Sequence, residues 1–129
     1  MKKKQYAYKL VNTNEDENLC SIWVQGKLYT IYPIGKWVEA KIGGFLCYET
    51  VEQAKNSGIC GCFLLYKCEV QNPVPLPKQR LEGLFGLYLL TIARACWGNK
   101  RIPEAHVTSV WPKGTVAYQR VKLLERINR

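Results

Sequence analysis

No stretch of this 129-residue chain is long and apolar enough to span a bilayer. The best candidate, residues 81–97, is 17 residues long and carries Arg94 and two glycines, where a spanning helix needs about 20 apolar residues. The basic start MKKKQYAYKL has no apolar segment behind it, unlike a secretory leader. The expectation is an intracellular protein with no membrane partner. Arginine and histidine are missing from the first half: all six arginines follow residue 72, and the single histidine is His106. There is no C-x2-C pair, only the C-x-C of Cys60 and Cys62, so paired zinc knuckles are excluded. No glycine-rich loop has the lysine and spacing that cradle a phosphate. No pair of carboxylates stands out for acid–base work. Internal repeats are absent too. These absences point to no cofactor and to a non-enzymatic role.

Hydrophobic residues make up 47% of the chain, enough for a globular core, and the length suits one domain over residues 1–129. Charge is unevenly placed. Residues 1–71 hold nine lysines against seven acids, whereas residues 72–129 hold ten basic residues against three acids. The total is +9. A basic half attracts polyanions by releasing their counterions. Lys100, Arg101, Arg120, Lys122, Arg126 and Arg129 are therefore the candidate nucleic-acid contacts. Scattered surface charge that serves solubility is the plainer reading. Aromatics are plentiful: Tyr6, Tyr8, Trp23, Tyr29, Tyr32 and Trp37 lie on or beside expected strands, near Lys9, Lys27 and Lys36. Exposed, they could stack bases; buried, they are sheet core.

Six cysteines need an account: Cys20, Cys47, Cys60, Cys62, Cys68 and Cys96. Buried thiols, disulfides and a metal are all open. On a strand, Cys60 and Cys62 would point the same way about 7 Å apart, too far for a comfortable bond to each other. Cys20, Cys47, Cys60, Cys62 and Cys68 are the candidate disulfide partners. Nothing in the sequence sets His106 beside any of them for nucleophilic chemistry.

Alternation predicts strands at residues 6–11, 19–24, 27–32, 36–41, 45–48, 59–70 and 115–124, with a helical ending possible as far as Ile127. The segments 19–24 and 27–32 meet at Gln25-Gly26, a hairpin signal. In the run 59–70, Tyr66, Cys68 and Val70 share one face, while the other turns charged at Lys67 and Glu69. This fits a strand covered on both sides that emerges into solvent at Lys67. Thr50 and Gln53 have capping-box spacing for a short helix over residues 51–57, with Gly58 as its stop. Asn14, Glu15, Asp16, Glu17 and Asn18 form an acidic loop without the ligand spacing or central glycine of a calcium loop. The segment 72–77, NPVPLP, reads as a stiff connector that cannot be a central strand. Residues 78–97 read as the main helix, apolar nearly all round, which implies burial or a subunit contact.

The run GKWVEAKIGGFLCYETVEQAK, followed by YKCEVQNP and the ending WPKGTVAYQRVKLLE, resembles small uncharacterised proteins of archaeal viruses and phages. That resemblance implies a viral, thermophilic origin and residence in the host cytoplasm, and it implies no activity. The unit of glycine, strand, short helix and strand is similar to one in ADP-ribosyltransferase-like folds. Those enzymes need a histidine or arginine on a first strand and a later catalytic glutamate. Here the early strands hold neither, and Glu69 is the one loose match.

The expected fold is α+β: a mainly antiparallel sheet packed against one long helix, with a short helix inserted between two strands. The expected function is that of a small basic accessory protein that binds nucleic acid. The alternative is an interaction protein that forms a homodimer through the apolar helix 81–92, and the third reading is an ADP-ribosyltransferase-like enzyme.

Overall fold

The computed structural model describes residues 3–20, 30–41, 43–56, 63–76, 80–81, 97, 107–108, 111 and 113–127. Its elements in chain order are β1 (Gln5–Thr13), β2 (Leu19–Cys20), β3 (Trp37–Glu39), β4 (Phe45–Tyr48), α1 (Val51–Lys55), β5 (Leu64–Val74), β6 (Arg80–Leu81), β7 (Val107–Thr108) and β8 (Thr115–Ile127).

Strand pairing closes on itself. Tyr8 of β1 lies opposite Lys67 of β5 on one edge and Tyr48 of β4 on the other. Tyr66 of β5 lies between Lys9 of β1 and Arg126 of β8. Tyr118 of β8 lies between Pro73 of β5 and Phe45 of β4. Thus β1, β5, β8 and β4 form an antiparallel ring, and β3 extends it by pairing with β8 at Arg120, Val121 and Lys122. Closure removes the free edges that an open sheet would expose. To wrap so small a ring, β8 takes in an extra residue. Lys67 pairs with Glu125 and Cys68 with Leu123, so Leu124 is the bulged residue that bends the strand.

Alternation decides what lies inside. Ala7 and Val11 from β1, Phe45 and Cys47 from β4, Tyr66, Cys68 and Val70 from β5, and Val121 and Leu123 from β8 fill the interior with Tyr32. Lys9 stands between Ala7 and Val11 and points inward with them. Outside the ring, α1 covers a second cluster of Leu10, Tyr48, Ala54 and Leu65. The predicted two-sided cover of β5 is therefore present at Leu65, but the strand does not emerge into solvent at Lys67 as expected, because Lys67 is half-buried and Glu69 is buried at 8% exposure, ion-paired to Lys122.

The expected α+β fold with one long helix is not what forms. The described residues are mainly antiparallel strand, with one five-residue helix. At the start of the predicted long helix, Arg80 and Leu81 are strand and pair with Thr108 and Val107. The sheet buries its apolar face within its own ring, so it needs no helix across that face. Residues 82–96, including most of the segment 81–92 named for a homodimer, lie outside the described residues.

Other local readings also change. The connector begins later than read, because Asn72, Pro73 and Val74 are the end of β5. Pairing with β1 stops at Val70, so beyond it, among the described residues, β5 pairs with β8 alone, and Pro73 sits where the other edge needs no N–H. The capping box is half made. Thr50 Oγ1 accepts from the Gln53 N–H at 3.1 Å, but the Gln53 side chain lies against Gly114 instead of reaching back. The short helix ends earlier than read, at Lys55 with Asn56 as its C-cap, and Gly58, like residues 21–29 of the predicted hairpin and residues 59–62 of the predicted strand, lies outside the described residues. β4 spans the predicted residues, β8 stays extended to Ile127, and Cys20 pairs with Ile31 about the predicted Gln25-Gly26 midpoint. In the acidic loop, Asn14 Oδ1 accepts from the N–H groups of Asp16 and Asn18.

Gly43 has a φ of 59°, and the Trp97 indole occupies the place its Cβ would take. Gly43→Ala is expected to destabilise by at least about 1–2 kcal/mol from the left-handed backbone alone. It should also displace the indole, giving a red shift in tryptophan emission alongside a lower urea midpoint.

Candidate nucleic-acid interface

The residues that alternate with the interior set form a polar and aromatic outer face across β3, β8, β5 and β1. Cross-strand register arranges it in rungs. One rung runs Trp37, Lys122, Glu69, Tyr6; the next runs Glu39, Arg120, Gln71. Side chains opposite one another on a sheet come within contact distance, and here they do. Lys122 Nζ lies 3.3 Å from Glu69 Oε1 and 4.9 Å from the Trp37 ring centre. The Arg120 guanidinium lies 4.7 Å from the same ring. Its Nη1 donates to Gln71 Oε1 at 2.6 Å, and its Nε is 3.3 Å from Glu39 Oε1. That last contact is an ion pair without hydrogen-bond alignment. Lys67, one step along β5, places its ammonium 4.6 Å from the ring of Tyr6.

Exposure differs along this face. Tyr6 is 45% exposed, and Trp37 is half-buried. The Arg120–Glu39 pair stands largely in water on the carboxylate side, with side-chain exposures of 29% and 68%, whereas Lys122–Glu69 is more enclosed at 23% and 11%. Glu39 is therefore the exposed and weakly held member of the first pair, its contact to the buried Arg120 Nε lacking hydrogen-bond alignment. The second holds β8 to β5 at the centre of the face.

Among the predicted contacts, Arg120 and Lys122 are brought together here. Arg126 is exposed near the end of β8 and lies opposite Tyr66 in register. Lys100, Arg101 and Arg129 lie outside the described residues. Tyr32, offered as a stacking ring, is core at 3% exposure; Trp23 and Tyr29 lie outside the described residues. Sequence reasoning missed Lys67 and Gln71 as members of the face. The signal was available in the charged face of β5, but its partners on β8 depend on long-range register. Glu69, the loose match to a transferase glutamate, is ion-paired to Lys122 on this face.

The interior holds the remaining ionisable cluster. Lys9 Nζ donates to the Leu46 carbonyl at 3.0 Å and lies 5.4 Å and 5.5 Å from the ring centres of Tyr32 and Phe45. Burial pulls its ammonium down, while Tyr32, Cys47 and Cys68, once ionised, push it up, and the balance lies above the ordinary value. Burial pushes the Cys47 thiol up to about 11, against the opposing effect of Lys9. The Cys68 thiol is pushed up further, by burial first and by Cys47 second. Both stay protonated near neutrality, so neither is a ready thiolate nucleophile or metal ligand. Their S–H groups donate to the carbonyls of Phe45 and Tyr66. Among the candidate disulfide partners, Cys20, Cys47 and Cys68 are free and buried; Cys60 and Cys62 lie outside the described residues. Among the described residues, no group of three His, Cys, Asp or Glu side chains could hold a metal ion. No helix among them is long and apolar enough to cross a membrane.

No family model, no curated protein and no solved structure matches the chain.

Proposed function

We propose that this is a small, non-enzymatic accessory protein that binds nucleic acid through the outer face of β3, β8, β5 and β1. The observation that carries this reading is the layer of cations on aromatic rings: Arg120 and Lys122 on Trp37, and Lys67 on Tyr6. A sheet face of this kind offers positive charge for phosphates and π-surfaces for bases. The net charge of +9 gives the long-range attraction that brings a polyanion to it. The interior cluster supports binding over catalysis, because its thiols are protonated and its lysine is enclosed.

Fluorescence anisotropy of labelled nucleic acid at several salt concentrations tests the reading. Two phosphate contacts from Lys67 and Arg120 at about 0.7 counterions each give a log–log salt slope near −1.4. A fourfold rise in salt then weakens binding roughly sevenfold. Lys67→Gln with Arg120→Gln should flatten the slope by about 1.4 while circular dichroism stays unchanged. Absence of binding at low salt would refute the proposal.

A further inference from the structure

We infer that the ligand of this face is a single strand, whose bases stack on Tyr6 and Trp37 while a phosphate displaces the Glu39 carboxylate from Arg120. The inference rests on the nucleic-acid reading above and makes its substrate class specific. Tyr6 and Trp37 end the same rung, separated by Glu69 and Lys122. Three strand spacings put them about 14 Å apart along the sheet. A four-stranded antiparallel face of that width holds two or three unstacked bases. Base faces are closed off inside a duplex and open in a single strand, so rings displayed on a sheet discriminate between the two forms. Tyr6 is the free platform, with nearly half its surface in water and a cation from Lys67 beside it.

Glu39 sits in register with Arg120, 3.3 Å from its Nε, and its side chain is 68% exposed. In the free protein this carboxylate occupies the guanidinium that a phosphate would need. Carboxylate and phosphate can both take a bidentate pair from arginine, but Glu39 makes only an unaligned contact to Nε, so a phosphate that aligns with the guanidinium competes well for it. Glu39 thereby restrains binding, and removing its charge should strengthen it. Lys122 keeps its more enclosed partner Glu69 and holds the Trp37 ring in place.

The test compares a short labelled poly-thymidine strand with a duplex of the same length, both by anisotropy at low salt. The wild type should prefer the single strand. Tyr6→Leu should weaken single-strand binding about fivefold or more, the lower range for loss of one stacked base. Tyr6→Phe should retain it. Glu39→Gln should tighten it about twofold to fivefold, with the gain vanishing at high salt, as expected of a screened charge. Thermal unfolding of each variant checks the fold. Equal or tighter binding of the duplex overturns this inference and leaves nucleic-acid binding intact. An unchanged Tyr6→Leu affinity does the same. Failure to bind either probe removes the functional reading itself.

Discussion

Lys9→Met is expected to leave the protein as stable as wild type or more so, whereas Lys9→Ala should be markedly destabilised. Two effects oppose each other at this site. The Lys9 ammonium sits inside the ring with one carbonyl acceptor and two aromatic rings. Each desolvated cation–π contact contributes up to about 2 kcal/mol. Taking an ion out of water costs several kcal/mol, and replacing a buried charge by an apolar group of similar volume is often neutral or stabilising by about 1–4 kcal/mol. Methionine keeps most of the volume and leaves the Leu46 carbonyl without this donor, a loss of about 1 kcal/mol. Alanine removes the charge as well, but it leaves a hole among Tyr32, Phe45 and Cys47. Buried truncations of this kind cost about 2–5 kcal/mol. Urea unfolding should therefore separate the two variants by at least about 2 kcal/mol. Equal and large losses in both would show that the ammonium's contacts, and not packing, dominate.

The second large effect is alkaline. Cys47 has its folded-state value raised from 9.0 to about 11 by burial. Between those values the unfolded chain sheds a proton that the folded chain keeps. The unfolded state then binds fewer protons, so stability is fully present below pH 9 and falls as the pH rises toward 11. Two units correspond to about 2–3 kcal/mol. Cys68 acts in the same direction. Cys47→Val keeps the site apolar and removes this proton. The difference between wild-type and variant stability, measured by urea titration at each pH, cancels the titrations that do not depend on Cys47 and leaves that of Cys47 with its effects on Lys9, Cys68 and Tyr118. The wild type should lose about 2–3 kcal/mol more than the variant across the interval. Parallel curves would contradict the burial argument.

Much of the local structure was legible in the sequence, because it is written in short-range pattern. Alternation marked β1, β4 and β8, and it assigned Tyr66, Cys68 and Val70 to one face and Lys67 and Glu69 to the other. Thr50 marked the start of α1 by a bond three residues away. Closure was not legible. It depends on β1 meeting both β5 and β4, and on β8 meeting both β5 and β4, at separations that no periodicity encodes. For the same reason the sequence names Lys9 as a neighbour of the aromatics without placing it, whereas its parity with Ala7 and Val11 puts it inside. Arg80 and Leu81 followed a helical pattern but are held as strand by Thr108 and Val107, some 26 residues on. At the candidate site, Arg120 and Lys122 were found from charge. Their partners Glu39, Glu69, Gln71 and Trp37 come from strands distant in sequence, and only register brings them together.

The central claim is that nucleic acid meets the protein on the outer face of β3, β8, β5 and β1. The most direct test is a titration of a single-stranded oligonucleotide into isotopically labelled protein, with backbone amides and the Trp37 indole N–H followed by NMR. The account predicts that the shifts concentrate at Tyr6, Trp37, Lys67, Arg120 and Lys122, with little change at α1 or at the acidic loop of Asn14 and Asn18. Shifts gathered away from that face, or no shifts at concentrations well above those of the protein, would contradict it.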